Sequence, residues 1–131
     1  MPDASKVLVV EDDETIREVL TTTLEEEGYA VRAVTHGREA LDVLAGWPAD
    51  LIVLDLMLPI LDGWGFLAER RRLGVAEAVP VVVVSASRRG GTARSVDGVA
   101  AVLPKPFALE ELLAAVERAI RPPAAGANPT R

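Results

Sequence analysis

Short apolar runs alternate with helical periodicities along the chain, starting with the continuous run at residues 7–10. A short, uninterrupted, β-branched run is typical of a strand that is buried on both faces of a sheet. Comparable runs predict strands at 30–34, 51–54, 81–84 and 101–103. Apolar residues on one helical stripe predict helices at 16–24, 37–44, 64–73 and 109–120. The weakest unit is 88–98, where Gly90-Gly91 disfavours a helix and predicts a short or mobile one.

This order is a β-α unit repeated five times. Connections this short, with helices between the strands, predict a five-stranded parallel sheet covered by helices on both faces, a doubly wound α/β fold. The length of 131 residues suits one domain, predicted at 1–121. Residues 122–131 are rich in Pro and Ala and have no apolar face, which predicts a disordered tail or the stub of a linker.

Composition and charge exclude several classes of function. The formal net charge is −6, which argues against a nucleic-acid surface, because phosphate contacts need clustered Lys and Arg. The one basic run, 70–72, is interpreted as a solvated helix end that opposes the helix dipole. There is no cysteine, no signal-peptide pattern and no apolar stretch long enough to cross a bilayer. We therefore expect a cytoplasmic protein without membrane partners.

Polar residues follow four of the predicted strands. Glu11 and Asp12 come after the first strand, Asp55 after the third, Ser85 after the fourth and Lys105 after the fifth. Ligands of an open parallel sheet bind beyond the carboxyl ends of its strands, so these groups are expected at one edge. Crowded carboxylates need a cation, and oxygen-only ligands favour Mg²⁺. A carboxylate beside such an ion is a possible nucleophile toward phosphorus, and a hydroxyl and an ammonium would stabilise the transferred group.

Each of these residues also has an ordinary structural interpretation. The acidic run at 11–14 is, taken alone, more often a helix N-cap with acids in the first turn. A serine at a strand end is common, and a single lysine such as Lys105 is usually solvated. Asp55 is harder to dismiss, because it directly follows a buried strand. The joint arrangement of all four groups at one edge favours the functional interpretation.

The sequence resembles the response-regulator receiver domains of two-component signalling over residues 6–120. The resemblance rests on these motifs in this order: VLVVEDD at 7–13, LIVLDLMLP at 51–59, DG at 62–63, SA at 85–86 and KPF at 105–107. It implies a flavodoxin-like (βα)5 fold and a signalling protein. It also implies a histidine kinase or phosphotransfer protein as phosphate donor and a downstream partner protein that the sequence does not identify.

By this resemblance, Asp55 is the phosphoacceptor and Mg²⁺ is held by Glu11, Asp12, Asp55 and the backbone carbonyl of Met57. Ser85 would hydrogen-bond the phosphate and Lys105 would pair with it. The resemblance further implies a cis peptide bond before Pro106. Asp13 is interpreted as a helix cap.

The sequence departs from the family at three places. Val102 stands three residues before Lys105, where the family usually has an aromatic residue that couples the phosphate to the output surface. The segment between Ser85 and Lys105 is shorter than usual. Met57 puts a bulky apolar side chain beside the acceptor, which we expect to hinder attacking water and to slow the loss of phosphate.

These residues and motifs leave three candidate functions. The first is a phosphorylation-dependent switch, a monomer or weak dimer that is not an enzyme beyond its own phosphorylation and dephosphorylation. The second is an adaptor that keeps the fold and binds its partner without phosphorylation. Val102 and the altered helix of the fourth β-α unit favour it, whereas the intact Asp12, Asp55 and Lys105 argue against it. The third, a phosphohydrolase with an aspartyl-phosphate intermediate, is disfavoured, because such enzymes need a second acid where this chain has Met57.

Overall fold

The computed structural model describes residues 4–86, 96 and 98–120. The described part contains five strands, β1 Lys6–Val10, β2 Ala30–Val34, β3 Leu51–Asp55, β4 Val81–Ser85 and β5 Val99–Pro104. It also contains four helices, α1 Glu14–Glu26, α2 Gly37–Leu44, α3 Gly63–Leu73 and α4 Leu109–Ile120. The helix predicted within 88–98 falls largely outside the described residues, as does the tail predicted at 122–131.

The sheet is parallel throughout and has the strand order β2-β1-β3-β4-β5. The predicted five-stranded, doubly wound, flavodoxin-like fold is confirmed. Because β1 and β3 are central, their carboxyl ends lie side by side, with the end of β4 next to β3. Residues that follow these strands are therefore brought to one edge.

The alternation of side chains along the central strands produces two hydrophobic cores. In β1, Leu8 and Val10 pack on the face covered by α2 and α3. Val7 and Val9, which alternate with them, pack on the opposite face with α1 and α4. All four side chains are buried, so β1 is buried on both faces, as its continuous apolar run predicted.

Side-chain caps set where α1 and α3 begin. Asp13 is the N-cap of α1, and its Oδ1 accepts a hydrogen bond from the Ile16 N–H at 2.9 Å, as predicted. Asp62 caps α3 in the same way, accepting from the Gly65 N–H at 2.8 Å. At the other end of α3, Gly74 adopts a left-handed conformation with φ of 69°. These caps fix the paths of the loops that leave β1 and β3.

Arg70 corrects the interpretation of residues 70–72 as a solvated helix end. Its side chain is buried, and its Nη1 donates to the carbonyl oxygens of Ala76 at 3.0 Å and Val79 at 2.9 Å. Burial lowers the pKa of Arg70, although the nearby charge of Glu77 opposes this effect. Arg72, in contrast, is exposed and pairs with Glu69. Arg70 therefore ties α3 to the loop that leads into β4.

Ile60 holds the loop between β3 and α3 in a strained conformation. Its φ is 66°, and its side chain is 82% exposed. A left-handed backbone costs an L-residue roughly 1–2 kcal/mol, and this conformation is least favourable for a β-branched residue. We expect Ile60→Asn to raise the free energy of unfolding by about 1 kcal/mol, because asparagine tolerates this conformation. Urea denaturation measures the change, with Ile60→Val as the matched control that keeps the strain. Equal stability of the two variants would contradict this account.

Candidate functional site

Three acidic residues meet at the carboxyl ends of β1 and β3. Asp55 is the last residue of β3 and Glu11 directly follows β1, and both are buried, whereas Asp12 is exposed. One carboxylate oxygen from each of the three residues lies within 4.8 Å of the others. The structure therefore brings together the three acids that the sequence predicted at this edge.

The donor set of this cluster fits Mg²⁺. It offers three carboxylate oxygens from Glu11, Asp12 and Asp55, and hard oxygen ligands are those that Mg²⁺ prefers. Like charges this close destabilise one another unless a cation lies among them. Two of the acids are buried and one is open to solvent, so an ion would have a path to the cluster.

Lys105 follows β5 and joins the two buried acids. Its Nζ lies 3.0 Å from Glu11 Oε1 and 3.2 Å from Asp55 Oδ2. The peptide bond between Lys105 and Pro106 is cis, as the family resemblance implied. Burial pulls the pKa of Lys105 down, but the hydrogen bond to Glu11 and the charges of Asp55 and Glu11 outweigh it and leave that pKa raised. Lys105 is therefore a cation held between Glu11 and Asp55.

Both oxygens of each buried carboxylate are hydrogen-bonded. Glu11 Oε2 accepts from the Asp13 N–H at 3.1 Å, and Asp55 Oδ1 accepts from the Met57 N–H at 2.9 Å. Burial raises the pKa of Glu11, and the hydrogen bonds from Lys105 and from the Asp13 N–H offset this rise only in part. These contacts fix the orientation of both carboxylates.

Ser85 and Met57 lie close to Asp55 along the chain or across the sheet. Ser85 is buried at the end of β4, one residue beyond Val84, which is the partner of Asp55 in the ladder between β3 and β4. The side chain of Met57 is 62% exposed, two residues after the acceptor. The predicted contacts of Ser85 with phosphate and of the Met57 carbonyl with Mg²⁺ stay predictions, as does the shielding of Asp55 by the Met57 side chain.

Two residues that the sequence analysis assigned no role to also shape the site. A Cβ at Gly63 would lie 2.6 Å from Leu56 Cα and 2.7 Å from the carbonyl oxygen of Asp55, so only glycine lets α3 start against this backbone. Arg17, on α1, donates from Nη1 to the carbonyl oxygens of Glu11 and Asp12. The DG motif was a signal for Gly63, whereas no motif that we used pointed to Arg17.

Val102 lies in β5, with its side chain in the hydrophobic core rather than at the carboxyl end of the sheet where the acidic cluster lies. Its side chain is buried and belongs to the cluster that includes residues of α2 and α3. This valine is smaller than the aromatic residue that the family resemblance implies, and its effect on coupling to the output surface stays a prediction.

Comparison with known families identifies the family to which the fold belongs. The family model for the response regulator receiver domain matches residues 7–117, from β1 into α4. The chain belongs to the response regulator receiver domain family. The match includes every residue of the acidic cluster and Lys105.

Among curated proteins, the receiver domain is similar to the response regulator MprA of Mycolicibacterium vanbaalenii. The two are 42% identical over 120 residues, which cover 88% of this chain and 50% of that protein. The response regulator MprA of Mycobacterium tuberculosis is 41% identical over the same length. The chain thus spans about half the length of the curated relatives it matches.

Solved structures support the same assignment. The receiver domain of the Francisella response regulator 1452 has a TM-score of 0.80 at 32% identity, covering 89% of this chain and 97% of that one. The receiver domain of the sensor histidine kinase PA1611 from Pseudomonas aeruginosa has a TM-score of 0.79 at 29% identity, covering 90% and 98%. That structure has a magnesium ion coordinated in its active-site cleft.

None of the helices in the described ranges is long and apolar enough to cross a bilayer.

Proposed function

We propose that this receiver domain is a phosphorylation-dependent switch whose phosphoacceptor is Asp55. The donor would be the phosphohistidine of a histidine kinase or a phosphotransfer protein. The observation that carries the proposal is the environment of one carboxylate. Asp55 is buried at the end of β3, bonded to the Lys105 ammonium, and within 4.8 Å of oxygens from Glu11 and Asp12.

In the proposed reaction, a carboxylate oxygen of Asp55 attacks the phosphorus of the donor's phosphohistidine. A P–O bond forms and the P–N bond breaks, the nitrogen keeps the bonding pair, and a neutral imidazole leaves when its other nitrogen carries a proton. The product is an acyl phosphate on Asp55. Bound Mg²⁺, held by Glu11, Asp12, Asp55 and the Met57 carbonyl, would supply positive charge to the phosphoryl oxygens.

Lys105 and Ser85 would then respond to the new charge. The Lys105 ammonium, already 3.2 Å from Asp55 Oδ2, is in reach of an oxygen added at that carboxylate. The Lys105 N–H donates to the Ser85 carbonyl at 2.9 Å, so the ends of β4 and β5 are joined. We infer that a phosphate contacting both side chains shifts this pair of strand ends and alters contacts with a downstream protein.

The proposal is tested by incubating the wild-type protein with acetyl phosphate, with Mg²⁺ or with an excess of chelator. We expect a covalent phosphate that is released by hydroxylamine, as an acyl phosphate is, and that forms only when Mg²⁺ is present. Mass spectrometry of the intact protein measures it. A phosphate that forms equally well in the presence of chelator, or that resists hydroxylamine, would contradict the proposal.

A second candidate function is an adaptor that binds its partner whether or not Asp55 is phosphorylated. The observation that favours it is Val102, buried in the core where the family resemblance calls for a movable aromatic ring. Partner binding that is equal for the wild type and Asp55→Asn, with and without acetyl phosphate, would favour the adaptor. Binding that requires phosphate would favour the switch.

We further infer a cytoplasmic protein that acts as a monomer or weak dimer, with neither nucleic acid nor membrane as a partner. The net charge of −6 supports the exclusion of nucleic acid. Apart from forming and hydrolysing its own acyl phosphate, no catalytic reaction is proposed. Sedimentation velocity with and without acetyl phosphate would detect a strong dimer, which would contradict this assignment.

A further inference from the structure

Arg17 lies on α1 but contacts the acidic loop that precedes this helix. Its Nη1 donates to the carbonyl oxygen of Glu11 at 3.1 Å and to that of Asp12 at 3.3 Å. The side chain is half-buried. One guanidinium nitrogen thus contacts two successive peptide groups, those on either side of Asp12.

The other polar backbone contacts of this loop do not involve the Arg17 side chain. The Glu11 N–H donates to the Val34 carbonyl at 3.0 Å, which continues the ladder from β1 to β2. The Asp13 N–H donates to Glu11 Oε2, and the Asp13 carbonyl accepts from the Arg17 N–H at 2.8 Å. The two intervening carbonyls are those that Arg17 binds with its side chain. The Glu11 carbonyl is in a partly buried contact and needs a partner, and the same Arg17 nitrogen also binds the Asp12 carbonyl, so Arg17 constrains how both peptide planes are turned.

The three acids of the site differ in how they are held. Glu11 and Asp55 are fixed through their own carboxylates by Lys105 and by backbone N–H groups. Asp12 is exposed, and the contact the structure shows for it is through its backbone carbonyl to Arg17. The planes of the two peptides that flank a residue set the direction of its Cα–Cβ bond. The orientation of the Asp12 carboxylate therefore depends on Arg17.

We propose that Arg17 is a positioning residue for the Mg²⁺ site and orients Asp12 through the backbone of the acidic loop. The inference rests on the proposed function, since it assumes that Glu11, Asp12 and Asp55 hold Mg²⁺. It assigns Arg17 no contact with the ion or with phosphate.

When Arg17 is neutralised, the loss of its charge and the loss of its two carbonyl contacts predict opposite changes in Mg²⁺ affinity. A cation next to an acidic site repels Mg²⁺, so its removal by Coulomb effects alone would tighten binding. Loss of the two carbonyl contacts would loosen the loop and weaken binding instead. Removing a group that orients a metal ligand typically costs 10-fold or more in affinity. The sign of the change therefore separates the two effects.

The test is Mg²⁺ titration of the whole chain by isothermal titration calorimetry. Arg17→Met and Arg17→Gln both remove the charge, and both residues are good helix formers, so α1 should be kept. We expect the dissociation constant for Mg²⁺ to rise about 10-fold in each variant. The matched control is Arg118→Met, which removes an exposed positive charge from the last turn of α4 and should leave the constant unchanged.

A second readout separates positioning from a general loss of structure. With acetyl phosphate as donor, the Mg²⁺ concentration that gives half the maximal phosphorylation rate should rise by the same factor. The rate at saturating Mg²⁺ should stay within about twofold of the wild type, because Asp55 and Lys105 are untouched.

The possible results of the Mg²⁺ titrations distinguish a failure of the Arg17 proposal from a failure of the proposed metal site. An unchanged or lower dissociation constant in either Arg17 variant overturns the proposal, and so does an equal rise in Arg118→Met. A wild-type protein that binds no Mg²⁺ overturns the proposed metal site itself, and the positioning role with it. Wild-type binding with unaltered variants rejects only the role of Arg17.

Discussion

Replacing Asp55 by asparagine is expected to abolish phosphorylation, lowering the rate with acetyl phosphate and Mg²⁺ by at least about 10³-fold. The amide that replaces the carboxylate carries no charge and is not a nucleophile toward phosphorus. Its shape is nearly the same, so its oxygen still accepts from the Met57 N–H, and Lys105 keeps Glu11 as a partner. The fold should therefore persist while the reaction is lost. The measurement is the fraction of protein that carries a hydroxylamine-labile phosphate over time.

Asp50→Asn is a matched control for this experiment, because it makes the same change at the other end of the strand. Asp50 lies just before β3, where its carboxylate accepts from the Lys6 N–H at 2.8 Å, far from the carboxyl edge of the sheet. Asp50→Asn should be phosphorylated at the wild-type rate. If Asp55→Asn were labelled as fast as this control, Asp55 could not be the acceptor.

The fold was predictable because short parallel connections leave few arrangements. Two-sided burial produced the continuous apolar runs of β1, β3 and β4, and each structural strand lies within a few residues of its predicted run. The same constraint made the edge predictable: once the strands are parallel, Asp12, Asp55 and Lys105 must follow at one end. The cap at Asp13 was also visible, because its chemistry is local.

Contacts that depend on loop paths were not predictable from the sequence. Lys105 was expected to meet a phosphate at Asp55, but its bond to Glu11, 94 residues away in the chain, depends on how the loop after β5 folds back. Arg70 was misassigned because three consecutive arginines near a helix end suggest solvent. Which of the three faces inward depends on the packing of the loop before β4. In each case, the local sequence pattern did not identify the group that the side chain contacts.

Lys105→Met is expected to lower the free energy of unfolding by about 2–3 kcal/mol in the absence of divalent ions. Breaking a buried ion pair by removing one partner typically costs 3–5 kcal/mol, because the other charge is left uncompensated. Here the cost is somewhat lower, because the Lys105 side chain is 18% exposed and solvent reaches it. Methionine keeps most of the apolar stem, so the loss should report on the ammonium rather than on packing. Urea denaturation measures the difference from the wild type.

Mg²⁺ should reduce the difference in unfolding free energy between Lys105→Met and the wild type. Any ion that binds only the folded state stabilises it, and binding to the acidic cluster should be tighter once the Lys105 cation no longer competes. We therefore expect Mg²⁺ to raise the unfolding free energy more in Lys105→Met than in the wild type. Lys6→Met is the matched control: the other lysine of the chain lies at the start of β1, at the opposite edge of the sheet. A loss below about 1 kcal/mol, or an equal response of Lys105→Met and Lys6→Met to Mg²⁺, would mean that Lys105 does not balance the charges of Glu11 and Asp55.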